Sequence, residues 1–205
     1  MEIKLSKVVI AELEMACQIS ALHYQTINQG FLSSLGEKFL QVLYEYLIQN
    51  ELVLVYKEDQ SVLGYVSCAL SSKGIMKRFI YTKPSEIIRI VLAILKKPKL
   101  LKPLMETYRA PSLSTSDINT VDQIPETELL SISVSPNVQK GGIGMQLIYA
   151  LEAELKKRNI HSYKVIAGEK LEGANKFYLK NGFVLAKKIS IHGNNISNVY
   201  VKEIQ

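Results

Sequence analysis

A chain of 205 residues with 47% hydrophobic content is long enough to bury a substantial core and suits one domain spanning residues 1–205. Its longest apolar stretch, residues 87–95, contains Arg89 and falls well short of the ~20 residues that cross a bilayer, so no transmembrane helix is expected. The net charge of +6 is not spread evenly: residues 73–109 hold ten Lys and Arg against Glu86 and Glu106, more than the whole excess, so the pattern is a near-neutral domain with a basic insert. The first twenty residues carry acidic side chains where a signal peptide needs an unbroken apolar core, which makes a cytoplasmic location the expectation. Cys17 and Cys68 lack metal-ligand spacing and His23, His161 and His192 are scattered, so neither a metal nor a disulfide is expected.

In chain order, residues 11–28 and 36–50 read as helices, the second with Phe39, Leu40, Leu43 and Leu47 near a 3.6-residue period. The link between them, residues 29–36, has glycine at both ends and Ser33 and Ser34 as candidate caps. Residues 52–56 and 62–70 form a hairpin pattern across a polar turn. The basic insert follows, at about 72–126, with Pro84, Pro98 and Pro103 marking off a helix of about residues 85–96 and a polar loop over 110–125. Residues 128–135 are a strand whose even positions Leu130, Ile132 and Val134 make one apolar face, headed by Glu128. A helix over 143–158 places Ile143, Leu147, Ile148, Leu151 and Leu155 on one stripe. A strand over 162–167, a short helix from about 172 to 181, and strands 183–191 and 196–204 around a turn at 192–195 complete an α/β order with mixed pairing.

The segment Gln139, Lys140, Gly141, Gly142, Ile143, Gly144 joins the strand to the long helix, where unpaired backbone N–H groups and the helix dipole favour an anion. Glycine there permits close backbone approach and positive φ. It is neither a P-loop nor a dinucleotide-binding GxGxxG, and a glycine turn of this kind can also be purely structural.

The Gln-x-x-Gly-x-Gly of Gln139, Gly142 and Gly144, preceded by a strand ending at Val134 and Pro136, combines with Ala174-x-x-Phe177-Tyr178 and Gly182-Phe183. In these motifs residues 128–183 resemble the acetyl-CoA-binding core of the GCN5-related N-acetyltransferase (GNAT) superfamily. The resemblance implies a mixed central β-sheet flanked by helices, with a helical basic insert between the third and fourth strands. It implies acetyl-CoA as cosubstrate, its pyrophosphate held by backbone N–H groups of residues 139–144 with Lys140 adding charge, Ile132 and Val134 as further cofactor-binding residues, and the Ile132 N–H facing the thioester oxygen. It also implies Tyr178 as the general acid beside the sulfur. Glu128 matches the position of the catalytic glutamate in histone acetyltransferases of the superfamily and is the candidate base for a protonated amine. One departure is Leu171, where many members have Asn, and it puts any cofactor contact of that Asn in doubt.

The acceptor in this superfamily lies near the first two helices, where His23, Tyr24, Phe31 and Ser33 are the candidate substrate residues. Neither cysteine has an adjacent base, which favours direct attack by the amine over an acetyl-cysteine. The expected acceptor is a small-molecule primary amine such as an amino sugar, with the insert as a lid or wall whose charge suits an anionic group. Two other readings stand beside this one: a non-catalytic acetyl-CoA-binding regulator, suggested by Leu171, and a membrane-surface or interaction protein using residues 85–99. That segment is apolar nearly all round, which suits burial or a homodimer contact better than a lipid face. Nucleic-acid binding is disfavoured because the insert has few stacking aromatics.

Overall fold

A computed structural model of the chain describes residues 7–28, 31–84, 88, 124–139, 141–190 and 196–205, the Phe31 side chain excepted. The helix expected over 85–96, segment 85–99 as a membrane or dimer contact, Lys140 and the turn at 192–195 lie outside these residues, Ile88 apart.

The described elements are strand β1 (Val8–Ile10), helices α1 (Ala16–Thr26), α2 (Phe31–Ser34) and α3 (Glu37–Asn50), strands β2 (Leu52–Glu58) and β3 (Ser61–Ala69), helix α4 (Ile75–Thr82), strand β4 (Glu128–Val134), helix α5 (Ile143–Lys157), strand β5 (Ser162–Gly168), helix α6 (Glu172–Lys180), and strands β6 (Val184–Ser190) and β7 (Ile196–Glu203). β1 was not legible in the sequence. It is three residues long and pairs with β2 from Val8 opposite Tyr56 to Ile10 opposite Leu54. Helix α4 was also missed, because its residues fall within the stretch read as a basic insert.

The seven strands form one sheet in the order β1-β2-β3-β4-β5-β7-β6. β2 is buried on both faces from Leu52 to Tyr56, as a near-continuous apolar run in mid-sheet should be. One face carries α5, whose stripe Ile143, Leu147, Ile148, Leu151 and Leu155 is buried as its period predicts, together with Tyr178, Phe183 and Tyr200. The other face carries α1, α3 and α4, with Ile19, Leu40, Tyr44, Leu47 and Phe79 packed on Val53, Val55 and Tyr65.

β4 does not alternate as its sequence suggests. Ser67 pairs with Ser131 while Cys68 pairs with Leu129, so Leu130 is an extra residue in β4. The bulge turns Leu130 toward the α1/α3 layer, while Ile132 and Val134 pack on the α5 side. Leu130, Ile132 and Val134 therefore do not share a face, and Glu128, next to inward-facing Leu129, points to the α1/α3 side.

Candidate active site

β4 and β5 are parallel but paired only through Glu128 with Lys164 and Leu129 with Val165. Beyond that point β4 continues along β3 as far as Val134, and β5 continues along β7 as far as Gly168. A bulged strand bends, and the bulge at Leu130 falls where the pairing ends. The result is a cleft in the sheet, bordered by the backbone of Ile132 and Val134 on one side and of residues 166–168 on the other.

The glycine turn sits at the open end of β4. Pro136–Val138 form a single 3-10 turn, Gln139 Nε2 donates to the Val134 carbonyl (3.1 Å), and Gly142 starts α5 in the left-handed region at φ 78°. No side chain caps α5, and its first ladder bond runs from Gln146 N–H to the Gly142 carbonyl (3.1 Å). The N–H groups of Ile143, Gly144 and Met145 are therefore without a helical acceptor, on the positive end of a 15-residue dipole. The Ile143 side chain is buried in the core, so only its backbone can serve a ligand. Gly141 and Gly142 leave the turn low, since a Cβ on Gly142 would stand in open space and one on Gly141 would meet the Val138 carbonyl oxygen at 3.3 Å. Gly144 has another reason to lack a side chain: a Cβ there would lie 3.1 Å from the Phe177 ring. The two sequence motifs are thus in contact, α5 lying against α6 through Gly144 and Phe177.

Tyr178 is buried among Phe177, Phe183 and Tyr200, with ring centroids 5.6, 5.3 and 6.0 Å away. Burial pushes its phenol well above the usual range, so it is protonated near neutral pH. Its hydroxyl makes no hydrogen bond with the described residues, yet it is not among the sealed unsatisfied atoms. Leu171 is half exposed at the N-cap of α6. Asn175, one turn on, supplies the polar contacts there: its Nδ2 donates to the carbonyls of Gly168, Glu169 and Leu171 (3.0, 3.2 and 2.8 Å), and its Oδ1 accepts from Tyr200 (2.8 Å) and Asn198 (2.9 Å).

Glu128 stands at the closed end of the cleft, its side chain 18% exposed, with Lys164 Nζ 3.5 Å away. Burial lowers the Lys164 ammonium's pKa, and the neighbouring Glu128 carboxylate works against that shift. Sequence reading missed Lys164, although a lysine inside the apolar run of β5 was a visible signal.

The expected acceptor residues do not form one wall. His23 is buried, with Nδ1 2.6 Å from Tyr44 Oη and 3.0 Å from Tyr65 Oη. Tyr44 continues to Ser131 Oγ (3.0 Å), which touches Ser67 Oγ (2.8 Å), so the bulge of β4 is wired to α1. Ser133 reaches Thr26 on the same face (2.7 Å). Burial lowers the His23 pKa to about 4, which keeps the ring neutral. Tyr24, its neighbour in sequence, is exposed to solvent. Ser33 is buried and donates to the Ile27 carbonyl, fixing the turn after α1. Among the described residues no group of three or more His, Cys, Asp or Glu could hold a metal ion, and no helix is long and apolar enough to cross a membrane.

Residues 114–185 match the family model of the acetyltransferase (GNAT) domain. No curated protein is significantly similar in sequence. Solved structures share the fold: an N-acetyltransferase from Staphylococcus aureus is 15% identical, with TM-score 0.59 and coverage of 97% of this chain and 98% of that one. An acetyltransferase of the GNAT family from Streptococcus pneumoniae is 12% identical, with TM-score 0.55 and coverage of 97% and 98%. The structure of yncA from Salmonella typhimurium with its cofactor acetyl-CoA is 13% identical, with TM-score 0.58 and coverage of 97% and 93%. The chain has the GNAT fold, and the matched residues 114–185 include both stretches that carry the resemblance, Gln139 to Gly144 and Ala174 to Phe183.

Proposed function

We propose that the protein is an acetyl-CoA-dependent N-acetyltransferase acting on a primary amine of a small molecule such as an amino sugar, by direct attack. The observation that carries the reading is the cleft between β4 and β5, opening toward the uncapped N-terminus of α5. These features fit acetyl-CoA: a pyrophosphate suits the N–H groups of residues 143–145, which have no acceptor among the described residues, beside Gly141 and Gly142, and an extended amide-bearing arm suits the edge of β4 at Ile132 and Val134 that no described strand pairs. When bound, acetyl-CoA supplies an acyl group activated as a thioester.

This chain's residues then have three tasks. Glu128 accepts the proton that the ammonium must lose before it can attack, since amines of ordinary basicity are protonated at neutral pH. The Ile132 N–H steadies the carbonyl oxygen as charge develops on it. Tyr178, a phenol protonated at neutral pH, donates its proton to the departing sulfur. An amide C–N bond forms and the C–S bond breaks; of the two protons the ammonium nitrogen loses, one passes through Glu128 to solvent before attack and the other, shed as the tetrahedral intermediate collapses, replaces the one Tyr178 gives to the thiolate. Lys73 and Lys77, at the start of the basic segment, support an acceptor that carries a negative group.

The test is thiol release from acetyl-CoA across a panel of amines, amino sugars and peptides, comparing wild type with Glu128→Gln and Tyr178→Phe. Glu128→Gln is expected to lower kcat by about 10²–10⁴-fold. A variant that keeps wild-type turnover on a good acceptor loses its assigned role.

A further inference from the structure

The 58 residues between the end of β3 and the start of β4 leave and return at one place. The outgoing strand end is held by Glu51, whose Oε2 accepts from the Leu70 N–H (2.9 Å), and by Arg78, which donates to the Ser71 and Lys73 carbonyls (2.7 and 2.6 Å). The two legs are sewn together by Ser72 N–H to the Glu126 carbonyl (3.0 Å), Thr127 Oγ1 to the Leu70 carbonyl (2.9 Å) and Ser71 Oγ to Glu126 Oε2 (2.8 Å). This closed neck stands over the buried Lys164 of β5.

Lys164 is 4% exposed, and its ammonium has three protons. Three oxygens lie at hydrogen-bond distance: Ser72 Oγ on the outgoing leg (2.9 Å), and the carbonyls of Pro125 (2.6 Å) and Glu126 (3.1 Å) on the returning leg. The Glu128 carboxylate, at 3.5 Å, is a fourth neighbour, paired with the ammonium at a longer distance than the three oxygens of the neck. Such an arrangement fixes the ammonium on the neck and, through it, the position of the carboxylate. The backbone adds to the clamp, since the Lys164 N–H donates to the Thr127 carbonyl (2.9 Å) beside Glu128.

We propose that Lys164 is a positioning residue for Glu128, pinning the proton-accepting carboxylate to the closed neck of the insertion. The inference rests on Glu128 being the base. It makes the placement of that base depend on the neck, so that a change of structure in the insertion is felt at the closed end of the cleft.

The experiment compares Lys164→Met, Lys164→Arg, Glu128→Gln and the Met/Gln double variant. The readouts are steady-state kinetics with the best amine of the panel, calorimetric binding of acetyl-CoA, and amide hydrogen exchange. Lys164→Met is expected to lower kcat roughly 10–100-fold while the acetyl-CoA Kd stays within about twofold, and Lys164→Arg to recover most of the loss. In the Glu128→Gln background Lys164→Met should cost nothing further, because the two residues act as a unit. Exchange at the Ser72 amide should quicken at least ~10-fold in Lys164→Met with the core of β2 unchanged. An equal kcat loss in both backgrounds, or a Kd that worsens in step with kcat, would overturn the proposal. Unchanged Ser72 exchange would overturn the neck. Wild-type kcat in Glu128→Gln would instead remove the base assignment, whereas an impaired Glu128→Gln with an indifferent Lys164→Met sinks this inference alone. Should Lys164→Met fail to fold, Ser72→Ala takes its place, with a several-fold kcat loss again absent in the Glu128→Gln background.

Discussion

His23 shows how burial sets the behaviour of a single side chain. Its pKa falls from 6.5 to about 4 because the charged ring would lose its water, and the tyrosine hydroxyls around Nδ1 bring no compensating anion. A folded-state pKa below the unfolded one means that the unfolded chain takes up a proton first as pH falls. Stability is therefore whole above about pH 6.5 and is lost as pH drops toward 4, by at most roughly 3 kcal/mol. Urea unfolding at pH 7.5 and 5 should show this decline in wild type and a shallower one in His23→Gln; equal slopes would refute it. The glycines of the turn separate in the same way. Gly144→Ala drives a Cβ into the Phe177 ring and should cost about 1–3 kcal/mol, partly restored by Phe177→Leu. Gly142→Ala meets open space but keeps φ 78°, so it should cost ~1 kcal/mol that Phe177→Leu does not restore. Thermal unfolding of the single and double variants distinguishes the two causes.

At the scale of elements, what could be read from the sequence was what local pattern determines. The stripe on α5, the hairpin of β2 and β3, and the strand, glycine turn and helix order are set by residues a few positions apart, and they lie where the spacing put them. The bulge in β4 was hidden because it depends on the register with β3, and alternation in β4 alone suggested one face for Leu130, Ile132 and Val134. The polar wiring of the site was hidden for the same reason. Tyr44 and Ser131 are 87 residues apart, and Lys164 and Ser72 are 92 apart, so no spacing rule joins them. Among the acceptor residues, His23 was picked out as a chemical group, but its partners come from α3 and β3 and draw it into the interior. α6 bears the prediction that belongs to this scale. Tyr178→Phe keeps the ring packing with Phe183 and Tyr200, so it should leave the melting temperature within a few degrees while lowering kcat roughly 10–100-fold. A large thermal loss with unchanged kcat would assign Tyr178 to packing alone.

The whole molecule is a sheet in two parts, β1 to β4 and β5 to β7, joined by strand pairing at two residue pairs and covered on one face by α5. A cosubstrate held along the inner edge of β4 and at the start of α5 would tie the parts together, and mass action then stabilises the fold by about 2.7 kcal/mol at one hundred times its Kd. Hydrogen exchange should slow at residues 130–134 and 143–145 on addition of acetyl-CoA and remain as it was in the hairpin of β2 and β3. The basic segment leaves this frame through a neck that touches Lys164 and Glu128, and so lies beside the proposed chemistry. Acetyl transfer to an amine is read out by following free thiol and N-acetylated product together, by mass spectrometry, with wild-type protein, acetyl-CoA and the amine panel. The two products should appear in equal amounts for at least one small-molecule amine; acetyl-CoA that binds but yields neither product with any amine would show that the protein is not an N-acetyltransferase of this kind.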